Sequence, residues 1–270
     1  MIELIKKNKI YHMASMARSG ETLMLKILAV HPDVRVIHNL DKEDDLHSVK
    51  AFEFIKNFEP KQISRRHKLM QPYHLKRNQI ILIKQGVWKH QYPFDGFILS
   101  RNPVSIYSSL KAYDKKAEGY DEATNFWFGN VERFKRWLNG IQPEIIEELI
   151  AKSPIEQFVD FYNLRMGELL NTDIPIVKYE DLIVNTEDTL RKVCSYIGIQ
   201  MDDSLLNSHK FYKNGLEGHG QNDLSKPIDA SSLHKYKLNV TEEEFNFIKE
   251  NTLNVHKGYG YELHQGEVNY

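Results

Sequence analysis

Residues 9–32 read KIYHMASMARSGETLMLKILAVHP, and the order of chemistry in this stretch decides the fold. KIYHMASM is a short apolar run of strand length, and ARSG follows it as a turn. From Thr22 the apolar positions Leu23, Met24, Ile27 and Leu28 recur at helical spacing until His31 and Pro32 end the run. The unit is strand, tight loop, helix.

The same grammar repeats along the chain. Ile80 to Ile83 is a second apolar run, and Phe97 to Leu99 a third, followed at once by Ser100, Arg101, Asn102 and Pro103. That proline suits the first turn of a helix carrying Ile106, Tyr107 and Leu110, because its missing N–H is unsatisfied there anyway. Aromatic-rich helices are expected over 124–138 and 154–171, with Phe126, Trp127, Phe134, Trp137, Phe158, Phe161 and Tyr162 in the core. A strand is expected from Ile174 to Lys178, with Tyr179, Glu180 and Asp181 at its carboxyl end. The helix from about Thr186 to Tyr196 places Leu190, Val193, Cys194 and Ile197 on one face, and Gly198 closes it. Residues 214–232 are polar and glycine-bearing, which predicts a loop. Thr241 with Glu244 forms a capping box opening a last helix. Strands alternating with helices predict an α/β fold of three layers, a central mostly parallel sheet flanked by helices.

At 270 residues the default is one domain, 1–270. No run of about 18 apolar residues offers a membrane span, and lysines occupy the N-terminal stretch where a signal peptide would be apolar. The reading is an unexported, cytoplasmic chain with no membrane insertion. Cys194 is the single cysteine, which excludes an internal disulfide framework and a cysteine-based zinc site; it reads as a small buried hydrophobe, and no metal site is expected. A formal net charge of −1 argues against bulk attraction to nucleic acid. Between Glu59 and Asp95, however, there is no acidic residue, while Lys61, Arg65, Arg66, Lys68, Lys76, Arg77, Lys84 and Lys89 fall there. That interval is either a solvated face or a basic wall facing an anionic ligand. No apolar stripe stands apart from the expected core, so the oligomeric state is not legible.

In an open parallel sheet, ligands bind where strands end and helices begin. Three polar clusters lie at such ends. Arg18-Ser19-Gly20-Glu21-Thr22 is a glycine-containing loop with a cation and two hydroxyls; it lacks the Gly-Lys-Ser/Thr of the Walker sequence. Arg101 and Ser109 are eight residues apart across a strand-to-helix turn and could hold a phosphate, though a lone arginine is commonly a surface group. Tyr179-Glu180-Asp181 could meet a nucleobase or simply cap the next helix.

Taken together these clusters resemble the P-loop sulfotransferases, which use 3′-phosphoadenosine-5′-phosphosulfate (PAPS). MARSGETLM resembles that family's 5′-phosphosulfate loop, ILSRNPVSIYSSL its 3′-phosphate segment, and IVKYEDLIVNTEDTLRKVCSYIGI its tyrosine-glutamate-aspartate strand and following helix. The likeness is nearest to tyrosylprotein sulfotransferases, through LMLKILAVHPDVR and through Lys226-Pro227-Ile228-Asp229 with Lys235 nine positions after Lys226. Two departures stand out. Glu21 occupies a place where family loops carry threonine, and Asn39, next to His38, stands where the tyrosylprotein enzymes place a glutamate base.

The resemblance implies a sulfotransferase that moves a sulfuryl group from PAPS to a hydroxyl or amine by in-line displacement and releases adenosine 3′,5′-bisphosphate (PAP). It implies nucleotide binding by Arg18, Ser19, Gly20, Glu21, Thr22, Arg101, Ser109, Tyr179 and Lys235, and catalysis by Arg18 and Lys84 flanking the phosphosulfate bridge. For the base, His38 is the first choice because an imidazole works near neutral pH; His90, His219 and Asp41 are the other candidates. Gly86 occupies the place of the cytosolic enzymes' histidine. The alternatives are a non-catalytic nucleotide-binding protein or an ATP-dependent kinase. Segments about 40–78 and 214–232 are expected to line the acceptor side, with an anionic saccharide, a phenol or a peptide side chain as acceptor.

Overall fold

In chain order the elements are β1 (Lys9–Ser15), α1 (Glu21–Ala29), β2 (Val34–Ile37), β3 (Ile80–Gln85), β4 (Gly96–Ser100) and α2 (Pro103–Asp114). There follow α3 (Pro143–Ile150), α4 (Pro154–Leu170), β5 (Ile176–Lys178), α5 (Tyr179–Val184), α6 (Thr186–Ile197) and α7 (Asp203–Leu206). The chain ends with α8 (Glu242–Asn251), α9 (Leu253–Gly258), β6 (Glu262–His264) and β7 (Glu267–Asn269). The computed structural model describes residues 9–37, 80–85, 95–114, 143–212, 225–264 and 267–269. Two compact units share the chain: the first takes Met1–Ser15, Gly20–Leu99 and Ile174–Ile228, the second Met16–Ser19, Ser100–Asp173 and Asp229–Tyr270.

The first unit is built on a five-stranded sheet of order β2-β3-β1-β4-β5. The pairs β2–β3, β3–β1 and β1–β4 are parallel, with Met13 beside Lys84 on one side and Phe97 on the other. Side chains alternate across a strand, so this register gathers Met13, Leu82, Phe97 and Leu99 on one face. There they join Met24, Leu25, Ile27 and Leu28 of α1 and Leu190, Val193, Cys194 and Ile197 of α6 in one apolar core. The intervening Ala14 and Ile98 are fully buried as well. Strands buried on both faces read as near-continuous apolar runs, and this is why they were legible as runs without alternation. Burial pushes the Cys194 thiol up to about 11, in keeping with its reading as a small hydrophobe.

Helix boundaries follow their caps. Gly198 closes α6 at φ 69, a left-handed conformation that glycine adopts without steric cost. His31 ends α1 by donating from Nε2 to the Gln200 carbonyl at 3.1 Å while Nδ1 accepts from the Asp33 N–H at 3.1 Å. One expectation shifts here, the strand expected from Ile174 beginning at Ile176. Tyr179, Glu180 and Asp181 follow its carboxyl end as expected and form the first turn of α5, where acidic side chains meet the positive end of the helix dipole. The four-residue β2 was not expected at all.

The second unit packs helices around aromatic side chains. Phe158 lies between Tyr107 and Tyr162, with ring centroids 5.1 and 6.1 Å away. Helix α4 starts at a Ser153/Glu156 capping box with Pro154 in its first turn, and α8 starts at the Thr241/Glu244 box that the sequence announces. β6 and β7 pair antiparallel, with Leu263 and Val268 turned inward. The helix expected over 124–138 lies outside the described residues, as do all of 40–78 and residues 214–224 of the acceptor-side loop. Of that loop's described end, Ala230–Ser232 forms a short 3-10 turn.

Candidate active site

The loop after β1 is divided, Met16–Ser19 belonging with the second unit and Gly20 onward with the first. In the second unit, Arg18 lies at φ 73, the only described non-glycine residue in the left-handed region. Such a conformation costs on the order of 1 kcal/mol or more and persists only where surroundings enforce it. Here the enforcing groups are visible. Arg101 donates from Nη1 to the Arg18 carbonyl at 2.9 Å, and Arg18 donates from Nε to the Ser109 hydroxyl at 3.0 Å. Three residues that the sequence singled out in two separate segments thus form one hydrogen-bonded cluster.

Helix α2 carries Ser109 to that place. Asn102 caps it, its Oδ1 accepting from the Ser105 N–H at 2.8 Å and its Nδ2 donating to the Ser105 hydroxyl at 3.0 Å. Pro103 fits the first turn as the sequence predicts. Ser109, having accepted from Arg18, still has its own hydroxyl proton to donate. Ser19 is fully buried, and its Oγ has no hydrogen-bond partner among the described residues. A buried hydroxyl without a partner is costly, and an anion's oxygen is a chemistry that would satisfy it.

One member of this cluster escaped sequence reading. Arg101 also reaches the Ser232 carbonyl with Nη2 at 3.4 Å. A backbone carbonyl 131 positions away leaves no local pattern to find. Lys235, three residues further on, opens the 3-10 turn Lys235–Leu238 and is exposed.

In the first unit, Gly20 lies at φ 94 and its carbonyl accepts from the Met24 N–H at 3.1 Å, starting α1. A Cβ on Gly20 would overlap the ring of Tyr179, so this position needs glycine for space as well as for φ. Glu21 follows in the first turn, buried at 6% exposure, and Thr22 is half-buried. A carboxylate at a helix N-terminus answers the same positive field that would draw a phosphate. Tyr179 is buried at 7% exposure. Lys84 is the penultimate residue of β3. His38, directly after β2, lies outside the described residues, as do Asn39, Asp41, His90 and His219.

Comparison with known proteins bears on this arrangement. No curated protein matches the chain. Among solved structures, a sulfotransferase domain from the Synechococcus PCC 7002 olefin synthase is similar at TM-score 0.52 and 14% identity, covering 95% of this chain and 96% of that one. A mouse sulfotransferase, SULT7A1, solved in complex with PAP, is similar at TM-score 0.55 and 12% identity over 96% of this chain and 91% of that one. A sulfotransferase domain from the curacin biosynthetic pathway is similar at TM-score 0.50 and 16% identity, covering 95% and 99%. At such identities these likenesses speak for the fold. The family model of the sulfotransferase domain matches residues 11–250, a span that runs from β1 into α8 and contains every residue of the cluster, and the chain therefore belongs to the sulfotransferase family.

Proposed function

We propose that this sulfotransferase takes its sulfuryl group from PAPS and passes it by in-line displacement to a hydroxyl or amine of an acceptor, releasing PAP. The carrying observation is the Arg18–Ser109 hydrogen bond, with Arg101 holding the Arg18 carbonyl. It ties the 5′-loop cation to the pair that the family resemblance assigns to the 3′-phosphate. The buried Ser19 hydroxyl fits the reading, because it offers a donor unused among the described residues beside that cation.

Bound PAPS supplies the sulfuryl group and, in the bond that breaks, a phosphate oxygen that gains charge. Arg18 stabilises that charge, and a guanidinium already fixed by Ser109 does so without reorganising. Lys84 is assigned to the other side of the bridge, Ser19, Gly20, Glu21 and Thr22 to the 5′ loop, Arg101, Ser109 and Lys235 to the phosphates, and Tyr179 to adenine. His38 is the proposed base that takes the acceptor's proton. The acceptor is a saccharide, a phenol or a peptide side chain, and a cytoplasmic location belongs to the same reading.

The test incubates the purified chain with PAPS carrying radioactive sulfur and one representative of each acceptor class. The reading predicts label in one class with PAP formed in equal amount, and strong loss in Arg18→Ala. No label transfer to any class, or an Arg18→Ala variant as active as the wild type, contradicts it.

A further inference from the structure

Helix α2 is fastened to the stretch 229–244 by side-chain hydrogen bonds at several points, all of them within the second unit. Ser108 donates from Oγ to Oδ1 of Asn239 at 2.5 Å, and Asn239 returns a bond from Nδ2 to the Ser108 carbonyl at 2.9 Å. On the flanking positions, Tyr107 donates to Oε1 of Glu244 at 3.1 Å and Lys111 reaches both oxygens of Glu244 at 2.8 Å. Glu244 is in turn fixed, since its Oε2 accepts from the Thr241 N–H at 2.9 Å in the α8 capping box. Burial pushes its carboxyl up, but the bonds from Lys111, Thr241 and Tyr107 outweigh this and leave it below the usual range. At its start, the same stretch receives Arg101 on the Ser232 carbonyl.

Ser109 sits between these anchors, next in sequence to Ser108 and two residues before Lys111. The Ser108 carbonyl lies in the helix interior, where the helix supplies its own N–H partner. The Asn239 amide therefore does not rescue an orphaned group. The reciprocal pair ties Ser108, through both its side chain and its carbonyl, to Asn239, and so restrains the backbone that carries the adjacent Ser109.

We infer that Asn239 is a positioning residue for the 3′-phosphate end of the nucleotide, acting through Ser108 on the neighbouring Ser109 and so on Arg18. This rests on the PAPS reading given above. Asn239 needs no contact with the nucleotide for this role; it selects between phosphorylated and unphosphorylated ribose by holding the hydroxyl that tells them apart.

The test is calorimetric titration of wild type, Asn239→Ala and Ser108→Ala with PAP and, separately, with adenosine 5′-monophosphate, which lacks the 3′-phosphate. Each variant leaves Arg18, Arg101 and Ser109 in place. Ser108→Ala loses the Oγ–Oδ1 bond and Asn239→Ala both bonds, which predicts PAP affinity lower on the order of fivefold in the first and at least as much in the second, with the monophosphate affinity unchanged, so that the ratio of the two falls. Should Asn239→Ala fail to fold, Ser108→Ala, which loses the Oγ–Oδ1 bond alone, carries the fivefold prediction. Parallel weakening of both ligands marks a purely structural contact and overturns the inference, as does PAP affinity equal to wild type. If wild type itself fails to prefer PAP, the PAPS reading fails first and the inference with it, an outcome distinct from the other two.

Discussion

Arg18 and Ser109, 91 positions apart in sequence, meet through a 3.0 Å hydrogen bond from the guanidinium Nε to the hydroxyl. The bond orients a cation that would otherwise swing on a long side chain. Loss of a preorganised donor from a charge-stabilising site costs on the order of a hundredfold in turnover. Arg18→Ala is expected to lose about that much in kcat while PAP affinity changes much less, as measured by sulfate transfer and by titration. A second consequence concerns the backbone. Because residue 18 lies at φ 73, Arg18→Gly is expected to be more stable than Arg18→Ala by about 1 kcal/mol in urea unfolding, since glycine carries no left-handed penalty. Equal stabilities would contradict the strained conformation.

Gly20 is held against the ring of Tyr179 at φ 94. Gly20→Ala combines left-handed strain with overlap, which predicts a destabilisation of about 2–4 kcal/mol. Truncating the ring should relieve the overlap but not the strain. The double variant Gly20→Ala/Tyr179→Ala is therefore expected to fall short of the sum of the single losses by about 1 kcal/mol or more in chemical denaturation. Strict additivity would mean that the ring does not confine residue 20.

Glu21 places a buried carboxylate in the first turn of α1. Removing its charge leaves the helix N-terminus to an incoming anion. Glu21→Gln is expected to bind PAP on the order of threefold more tightly at low salt, with the gain shrinking as salt rises. Unchanged or weaker binding would show that the carboxylate does not oppose the nucleotide.

His256 is almost fully buried in the second unit. Thr252 gives its hydroxyl proton to the Ile248 carbonyl at 2.7 Å, so Nδ1 of His256, 3.0 Å from that oxygen, is the donor of the pair. Burial and then the neighbouring Lys257 pull the imidazole pKa from 6.5 down to about 4. The folded chain therefore refuses a proton that the unfolded chain accepts below pH 6.5. Stability is expected to fall as pH drops from 6.5 toward about 4, by on the order of 3 kcal/mol over the window. Urea midpoints measured against pH should show this slope in wild type and a smaller one in His256→Gln. Identical slopes would dismiss His256 as the source.

Where a local pattern carries the information, the sequence could be read. The periodic Leu23, Met24, Ile27 and Leu28, the αL closure at Gly198, and the Thr241/Glu244 box all act within one or two turns, and each element appears within a residue or two of its expected place. The short β2 could not be read, because four residues give too little alternation and its partner β3 lies more than 40 positions away. Pro175 shortened β5, since it has no N–H to add to the ladder while its carbonyl still accepts from the Ile98 N–H at 2.8 Å. Arg18, Arg101 and Ser109, which hydrogen bonds join in the fold, stand out in the sequence by residue type and spacing. Ser232 and Asn239 were not, because a carbonyl and an amide that act across 131 positions leave no periodicity.

If the cluster around Arg18 grips a doubly phosphorylated adenosine, titration of the purified chain with PAP, and in parallel with ATP, reads that grip without any acceptor. One saturable site for PAP is expected, with affinity at least about tenfold above that for ATP, a gap of about 1.4 kcal/mol. No saturable heat with PAP, or equal affinity for the two nucleotides, would contradict it.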